Sequence, residues 1–344
     1  MRIAYWTTAC LAPEFEAVSK EVFDLAARFR DSRIFAVSPH IAFKWSRRDR
    51  TLGLHSRLMP LLRAFIPFLE RAVSLNHIYA EVTPWVYLSA LSKRPTILTI
   101  ASEKGDPDLR LLRRCRLIVT QTEAMRRRLA DLGLPERSLR LIYPGIDLGS
   151  FSPRPSCMST GRPKVLLATF PRSQEELASR GVLLLLEIAQ ACPNIDFTFV
   201  SRPWGSGDSA RSFVEAWIRD KALQNVTLLE GIQNDMAEVY RRHDFTVIPY
   251  TQADGGKECP RSMIEALACG VPVLISDRAP FAPFIAAHEC GAVFPCNPTG
   301  FAAALQNAAA GYRSSSLNAA RVSRATFDLQ VTLQRYAELY DELL

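Results

Sequence analysis

A chain of 344 residues, 48% hydrophobic and 22% charged, is too long for one ordinary core and too apolar for a disordered polymer, so two domains are expected. Its eight cysteines form no Cys-x-x-Cys pair, which argues against a disulfide scaffold or a zinc site and for reduced thiols, mostly small core residues. The formal charge of +7 is uneven: residues 1–150 carry 24 Lys and Arg against 15 Asp and Glu, and the rest 18 against 20, so the first half either faces an anionic partner or solvates its helices with arginine.

Met1-Arg2-Ile3-Ala4-Tyr5-Trp6 lacks the apolar run and cleavage site of a signal peptide. No stretch approaches the ~18 apolar residues that span a bilayer. A cytoplasmic location, at most peripheral on the inner membrane face, is expected.

Short apolar runs then alternate with helical patterns, as in α/β units around parallel sheets. Met1–Trp6, Arg33–Val37, His77–Ala80, Thr96–Ile100, Leu117–Thr120 and Leu139–Tyr143 read as strands, with Glu16–Phe29 and Thr122–Gly133 as helices. Pro153, Pro155, Ser156, Ser159, Thr160, Gly161 and Pro163 form a linker-like cluster. Beyond it, strands are expected at Lys164–Thr169, Asp196–Arg202, Val226–Glu230, Phe245–Tyr250, Val271–Ser276 and Ala292–Phe294. Helices are expected at Gly181–Cys192, Arg211–Lys221, Met236–Arg242, Ser262–Ala268 and Leu329–Leu344. The implied architecture is α/β, with two Rossmann-like doubly wound domains, 1–150 and 164–325, joined by a linker over 151–163. A C-terminal helix within 326–344 packs back on the first domain. Open parallel sheets bind ligands at the carboxyl ends of their strands, so the expected site is the cleft between the domains.

Lys44–Val73 interleaves Lys44, Arg47, Arg48, Arg50, Arg57, Arg63 and Arg71 with leucine, isoleucine and phenylalanine. That pattern fits either an anionic membrane surface or an ordinary buried helix, and Pro60 and Pro67 are expected to break it into short pieces. The five histidines are scattered and read as structural.

The chemistry concentrates in the segment Asp254-Gly255-Gly256-Lys257-Glu258-Cys259-Pro260-Arg261-Ser262-Met263-Ile264-Glu265. Its glycines let the backbone approach a ligand, and Pro260 and Ser262 suit the first turn of a helix. Free N–H groups at that helix start would hold phosphate, helped by the helix dipole and by Arg261. Glu265, about one turn in, is either a solvated helix carboxylate or an acceptor for two ribose hydroxyls.

Glu265-Ala266-Leu267-Ala268-Cys269-Gly270-Val271-Pro272-Val273 resembles the donor-binding signature of the GT-B retaining glycosyltransferases of family 4 (glycosyl transferases group 1). There a glutamate, seven intervening residues and a second glutamate precede a small-residue helix ending in Gly-x-Pro-Val. Lys257 stands eight positions before Glu265 and Glu258 one later. Either a loop one residue shorter brings Glu258 to the donor sugar, or Lys257 takes the acid's place. Ile142-Tyr143-Pro144-Gly145-Ile146-Asp147 with Phe151-Ser152-Pro153 is similar to the family's turn at the domain junction. Val165–Phe170 with Arg172 and Arg180-Gly181-Val182 looks like its strand, arginine and Lys-Gly element. The resemblance implies that Arg172 and Arg180 neutralise the donor diphosphate, that Glu265 binds the ribose, and that amides near Cys259–Ser262 hold phosphate. The chain departs from the family at Thr7–Pro13, which lacks the glycine-rich loop, and at Ala101–Asp106, where Ser102 and Glu103 stand near the place of the family's histidine.

The function implied is metal-independent transfer of a hexose-like unit, with retention, from a nucleotide diphosphate sugar to a saccharide or lipid-linked acceptor in cell-surface polysaccharide synthesis. No separate cofactor and no nucleic acid are implied, and the basic first domain adds an anionic membrane surface to the expected partners. The alternatives are a catalytically degenerate sugar-nucleotide-binding or scaffold protein and a nucleotide-sugar 2-epimerase of the same fold. A nicotinamide dehydrogenase is set aside because no Gly-x-Gly-x-x-Gly follows a strand.

Overall fold

The computed structural model describes residues 1–13, 16–29, 31–48, 50–81, 93–102, 107–153, 157–171, 173–201, 209–253 and 255–343. They fall into two compact units, Met1–Gly145 with Gln330–Leu344, and Ile146–Leu329.

The strands of the first unit are β1 (Ile3–Thr7), β2 (Arg33–Ser38), β3 (Phe43–Ser46), β4 (Thr51–His55), β5 (Leu75–Glu81), β6 (Thr96–Ser102), β7 (Leu117–Thr120) and β8 (Leu139–Leu141). They form one sheet in the order β3-β4-β2-β1-β5-β6-β7-β8, parallel except where β3 pairs antiparallel with β4. Central strands buried on both faces need apolar residues at every position, and β1 is buried throughout. The chain winds outward from β1 through β2 and β4, then restarts beside β1 at β5. The switch point of this sheet therefore lies between β1 and β5.

The second unit repeats the plan with β9 (Lys164–Leu167), β10 (Asp196–Ser201), β11 (Val226–Glu230), β12 (Phe245–Ile248), β13 (Val273–Ser276) and β14 (Gly291–Phe294). The order is β11-β10-β9-β12-β13-β14, all parallel, with the switch point between β9 and β12. Asp244, just before β12, accepts from the Ser159 amide at 2.7 Å and from the Lys164 amide at 2.9 Å, which ties the proline-rich stretch to the amino ends of the central strands β9 and β12.

The expected break-up of Lys44–Val73 at its prolines is overturned. Residues 43–46 and 51–55 form the β3–β4 hairpin, and a helix then runs unbroken from Met59 to Arg71. Pro60 sits in the first turn, where its missing N–H has no intrahelical partner to lose. Pro67 lies inside the helix, at a cost of about 3 kcal/mol. Burial of Leu62 and Ile66 against the sheet, at about 1.5–3 kcal/mol each, offsets it.

Gly53 in β4 exists because the loop after β1 presses on it: a Cβ there would lie 2.8 Å from Leu11 Cδ1 and 3.2 Å from Ile41. Leu11 itself adopts a left-handed backbone (φ 55) while fully buried. That geometry costs a non-glycine residue roughly 1–2 kcal/mol, which burial of the leucine offsets. The carbonyl of Leu11 accepts from Lys44 Nζ at 2.5 Å, so this lysine is committed to the fold.

The helix Leu329–Asp341 completes the first unit. His77 of β5 lies fully buried with Nδ1 2.7 Å from the Tyr340 hydroxyl and Nε2 2.8 Å from Thr99 Oγ1, and Thr99 in turn meets the Tyr336 hydroxyl at 3.0 Å. Tyr5 closes the cluster at 3.2 Å from Tyr340. Burial without a charged partner pulls the His77 imidazole down to about 3. Unfolding lets it take up a proton below its ordinary value near 6.5, so its stabilising effect is complete above that pH and is lost progressively down towards pH 3. Thermal unfolding of the wild type should therefore fall more steeply between pH 6.5 and 4 than that of His77→Gln; parallel curves would remove His77 as the cause.

Candidate functional site

The most informative geometry lies at the carboxyl ends of β9 and β12, the switch point of the second sheet. The chain leaves β9 and forms the short helix Glu176–Ser179, which ends at Arg180 and turns at Gly181. Gly181 holds φ 75 with its Cα against the main chain after β12: a Cβ there would overlap the Pro249 carbonyl oxygen. The Thr251 amide donates to Ser179 O at 3.0 Å and its hydroxyl to Ala178 O at 2.8 Å. Gly255 is equally constrained, since a Cβ would strike Ser179 O, and Gly256 lies flat on the Tyr250 ring. Glycine is thus the residue that lets the two loops touch.

This stitching brings Arg180 beside the segment that carries Lys257–Glu265. Arg180 is 23% exposed and its Nε lies 3.3 Å from Glu176 Oε2. Burial pushes the Tyr250 phenol up to about 12, with Arg180 opposing the shift and Cys259 adding to it, so all three share one neighbourhood. Glu258 and Cys259 are buried, whereas Lys257 is half-buried.

The helix Arg261–Ala268 follows. Pro260 occupies its N-cap position and no side chain caps it. Arg261 and Glu265, one turn apart on the same face, pair through Nε and Oε1 at 3.2 Å with side chains only 13% and 12% exposed. The fully buried Tyr240 donates its hydroxyl to Glu265 Oε2 at 2.9 Å. Glu265 is accordingly no solvated helix carboxylate: both of its oxygens are oriented from within the unit. Two donors at the head of this helix, Arg261 Nη2 and Ser262 Oγ, are buried with no hydrogen-bond partner among the described residues. Leaving such groups unmet costs about 1–3 kcal/mol each, more for a charged one.

Of the residues singled out from sequence, Arg180, Lys257, Glu258, Cys259, Arg261, Ser262 and Glu265 fall at this end of one sheet. Arg172 and Asp254 lie outside the described residues, as do Glu103–Asp106 in the first unit. Sequence reasoning missed Tyr240 and Tyr250: in a pattern of apolar residues they are indistinguishable from core tyrosines, and only the fold aims one hydroxyl at Glu265 and one ring under Gly256. Among the described residues no three His, Cys, Asp or Glu side chains gather where a metal ion would bind.

The corresponding loop of the first unit, after β1, is arranged differently. Its amides are used internally: Ala9 donates to Thr7 Oγ1 at 3.1 Å, Cys10 to Glu16 Oε2 at 2.7 Å and Ala12 to Ser19 Oγ at 3.2 Å.

Solved structures place this architecture in a class. The chain is similar to the HepE protein of Anabaena in complex with UDP (17% identity, TM-score 0.77, covering 100% of both chains). It is similar also to a sucrose-phosphate synthase of Thermosynechococcus elongatus (17% identity, TM-score 0.76, 100% and 99%) and to the lipopolysaccharide outer core galactosyltransferase WaaB in its apo form (12% identity, TM-score 0.73, 100% of both). At such identities the likeness defines the fold, which is the two-sheet α/β GT-B glycosyltransferase fold over the whole chain. Residues 174–310, the span holding Arg180 and the entire Lys257–Glu265 segment, match the family model described as glycosyl transferases group 1. Fold and family domain together support glycosyl transfer. No curated protein matches the chain by sequence.

Gly181→Ala tests the stitch. The added methyl and the left-handed backbone should cost at least about 2 kcal/mol of stability and displace Arg180, whereas Ala178→Gly, which removes only an exposed methyl and keeps the carbonyl that meets Thr251, should cost about 1 kcal/mol or less. Equal unfolding midpoints for the two variants would mean that the Gly181–Pro249 approach is not a constraint.

Proposed function

We propose that the chain is a retaining glycosyltransferase of family 4 that moves a sugar from a nucleotide diphosphate donor to a saccharide or lipid-linked acceptor. The observation that carries this reading is the pair of buried donors, Arg261 Nη2 and Ser262 Oγ, with no partner among the described residues, at the head of an uncapped helix beside Arg180. Helix N–H groups, a hydroxyl and two guanidinium groups at a switch point suit a diphosphate. Charge on the departing nucleoside diphosphate grows as the glycosidic bond breaks, so Arg180 and Arg261 stabilise the transition state more than the bound donor. Arg172 is proposed to act with them. No metal ion is needed in this scheme, because the guanidinium groups supply the compensating charge.

Glu265 accepts the two ribose hydroxyls, its carboxylate held in plane by Tyr240 and Arg261. Of the two candidates for the donor-sugar contact, Glu258 is buried and Lys257 half-buried, which favours Glu258. Cys259 contributes its backbone amide. The acceptor hydroxyl proton passes to an oxygen of the departing phosphate on the same face, which gives retention without a protein nucleophile. Cell-surface polysaccharide synthesis is the proposed setting, and a cytoplasmic protein peripheral on the membrane the proposed location.

A second reading, a sugar-nucleotide-binding protein without turnover, draws support from the β1 loop, whose amides of Ala9, Cys10 and Ala12 are occupied by its own side chains.

UDP-sugars come first in the test, since HepE was solved with UDP and with UDP-glucose. UDP binding by calorimetry should weaken by about tenfold or more in Glu265→Gln, which keeps an acceptor for Tyr240 and so the fold. Arg180→Ala should lower kcat by about 10²–10³ with a smaller change in KM. Failure of UDP-, GDP- and ADP-sugars alike to bind would sink both readings. Binding with no sugar release to any saccharide or lipid-linked acceptor would select the second.

A further inference from the structure

The helix Met59–Arg71 is apolar on two faces. One carries Leu62 and Ile66 into the first unit's core. The other turns Leu61, Ala64, Phe65 and Phe68 to solvent, with Leu58 just ahead of the helix and Arg57 and Arg71 at its two ends. A helix inside a soluble core presents polar residues on its outer side, so this exposure calls for a partner.

The β3–β4 hairpin extends the same surface. Phe43 pairs with Leu54 and Trp45 with Leu52, so all four side chains stand on one sheet face. Leu52 and Leu54 pack against the core cluster that holds Leu62 and Ile66, which fixes that face as the one covered by the helix. Phe43 and Trp45, at the sheet edge, are left 66% and 63% exposed, and Leu61, Phe65 and Phe68 53–61%. Six of the ten exposed large hydrophobic side chains among the described residues belong to residues 43–68, so the exposure is a patch and not scatter.

Its charge says what covers it. Residues 43–71 hold seven Lys and Arg against Asp49 and Glu70. Glu70 is turned inward, where it accepts from Asn76 Nδ2 at 3.0 Å and from the Lys93 and Arg94 amides at 3.1 and 2.8 Å. Arg47, Arg48 and Arg57 are exposed at the margin, and Arg71 lies 4.9 Å over the Phe68 ring. Past Arg71, an open hollow of about 700 Å³ is lined by Arg2, Arg71, Arg94 and Asp31. A second copy docking on the same face would bring like charges together. An anionic lipid surface instead offers acyl chains to the aromatic and leucine side chains and phosphates to the arginines. No helix of the described residues is long and apolar enough to cross a membrane, so contact would be from one side.

We infer that the first unit docks on anionic phospholipid membrane through the outer face of Met59–Arg71 and the Phe43–Trp45 edge, with phospholipid phosphates seated at Arg47, Arg48, Arg57 and the Arg2–Arg71–Arg94 hollow. This rests on the peripheral location proposed above and not on the donor chemistry. The full chain, without nucleotide, should float with vesicles of phosphatidylcholine and phosphatidylglycerol in equal parts at low salt. It should not float with phosphatidylcholine alone, and it should be released by high salt. Phe65→Glu/Phe68→Glu should abolish flotation, and Arg47→Ala/Arg48→Ala weaken it about 25-fold at about fivefold per charge. The solvent-exposed sites of all four changes keep the unfolding temperature as a control. Vesicles should blue-shift the fluorescence of the wild type, and Trp45→Phe should remove that shift. Absence of flotation on mixed vesicles, or equal flotation on neutral ones, overturns the proposal. So does a concentration-dependent dimer that Phe65→Glu/Phe68→Glu dissolves while vesicles are ignored. UDP calorimetry on the same samples keeps this outcome separate from that of donor binding.

Discussion

Two loops that leave neighbouring strands of the second sheet meet backbone to backbone, and the meeting is possible only because Gly181 and Gly255 carry no side chain. Gly181 rests on the Pro249 carbonyl and Gly255 on that of Ser179. Thr251 closes the seam with two hydrogen bonds to residues 178 and 179. Everything at that end of the sheet inherits its position from this contact: Arg180 on one side, the uncapped helix and its glutamate on the other. The helix supplies direction, the seam supplies distance.

The two units share a winding order and differ in how they treat the polar groups at their switch points. In the second, Arg261 Nη2 and Ser262 Oγ are buried without a partner among the described residues, an unfavourable arrangement that an anion would relieve. In the first, the loop after β1 satisfies its own amides through Thr7, Glu16 and Ser19, and it takes a left-handed turn at Leu11 in place of a glycine. One switch point leaves donors unmet and the other satisfies its own amides. The Tyr240–Glu265–Arg261 chain shows the intermediate case, in which a carboxylate is oriented by internal donors yet keeps lone pairs to spare.

The regular part of the fold was legible because strands buried on both faces write uninterrupted apolar runs. Leu117–Thr120, buried throughout, comes out residue for residue, and most others within two; the half-exposed edge strand Val226–Glu230 is matched as well. The β3–β4 hairpin was not legible. A glycine in mid-strand and a string of arginines erase the alternation, and the reason for Gly53 is a leucine 42 positions away. The proline rule failed at Pro67 because it is local and the packing of Leu62 and Ile66 is not. At the candidate site, glycines, Arg180 and Glu265 stood out by residue type and spacing. Tyr240 and Tyr250 did not, since their roles depend on which way a buried ring points.

The first unit is discontinuous in sequence. Its sheet begins at Ile3, yet the tyrosines that meet Tyr5, His77 and Thr99 belong to residues 336 and 340, beyond the whole second unit. On the ribosome, residues 1–145 therefore emerge with one side of their core uncovered and wait through the synthesis of roughly 180 further residues, on the order of ten to forty seconds at ordinary elongation rates. During that interval the growing chain carries two unsatisfied apolar surfaces, the gap that Tyr336 and Tyr340 later fill and the outer face of Met59–Arg71. The first unit is thus completed only after the second has been made, and shielding of its core matters most before the helix Leu329–Asp341 is synthesised.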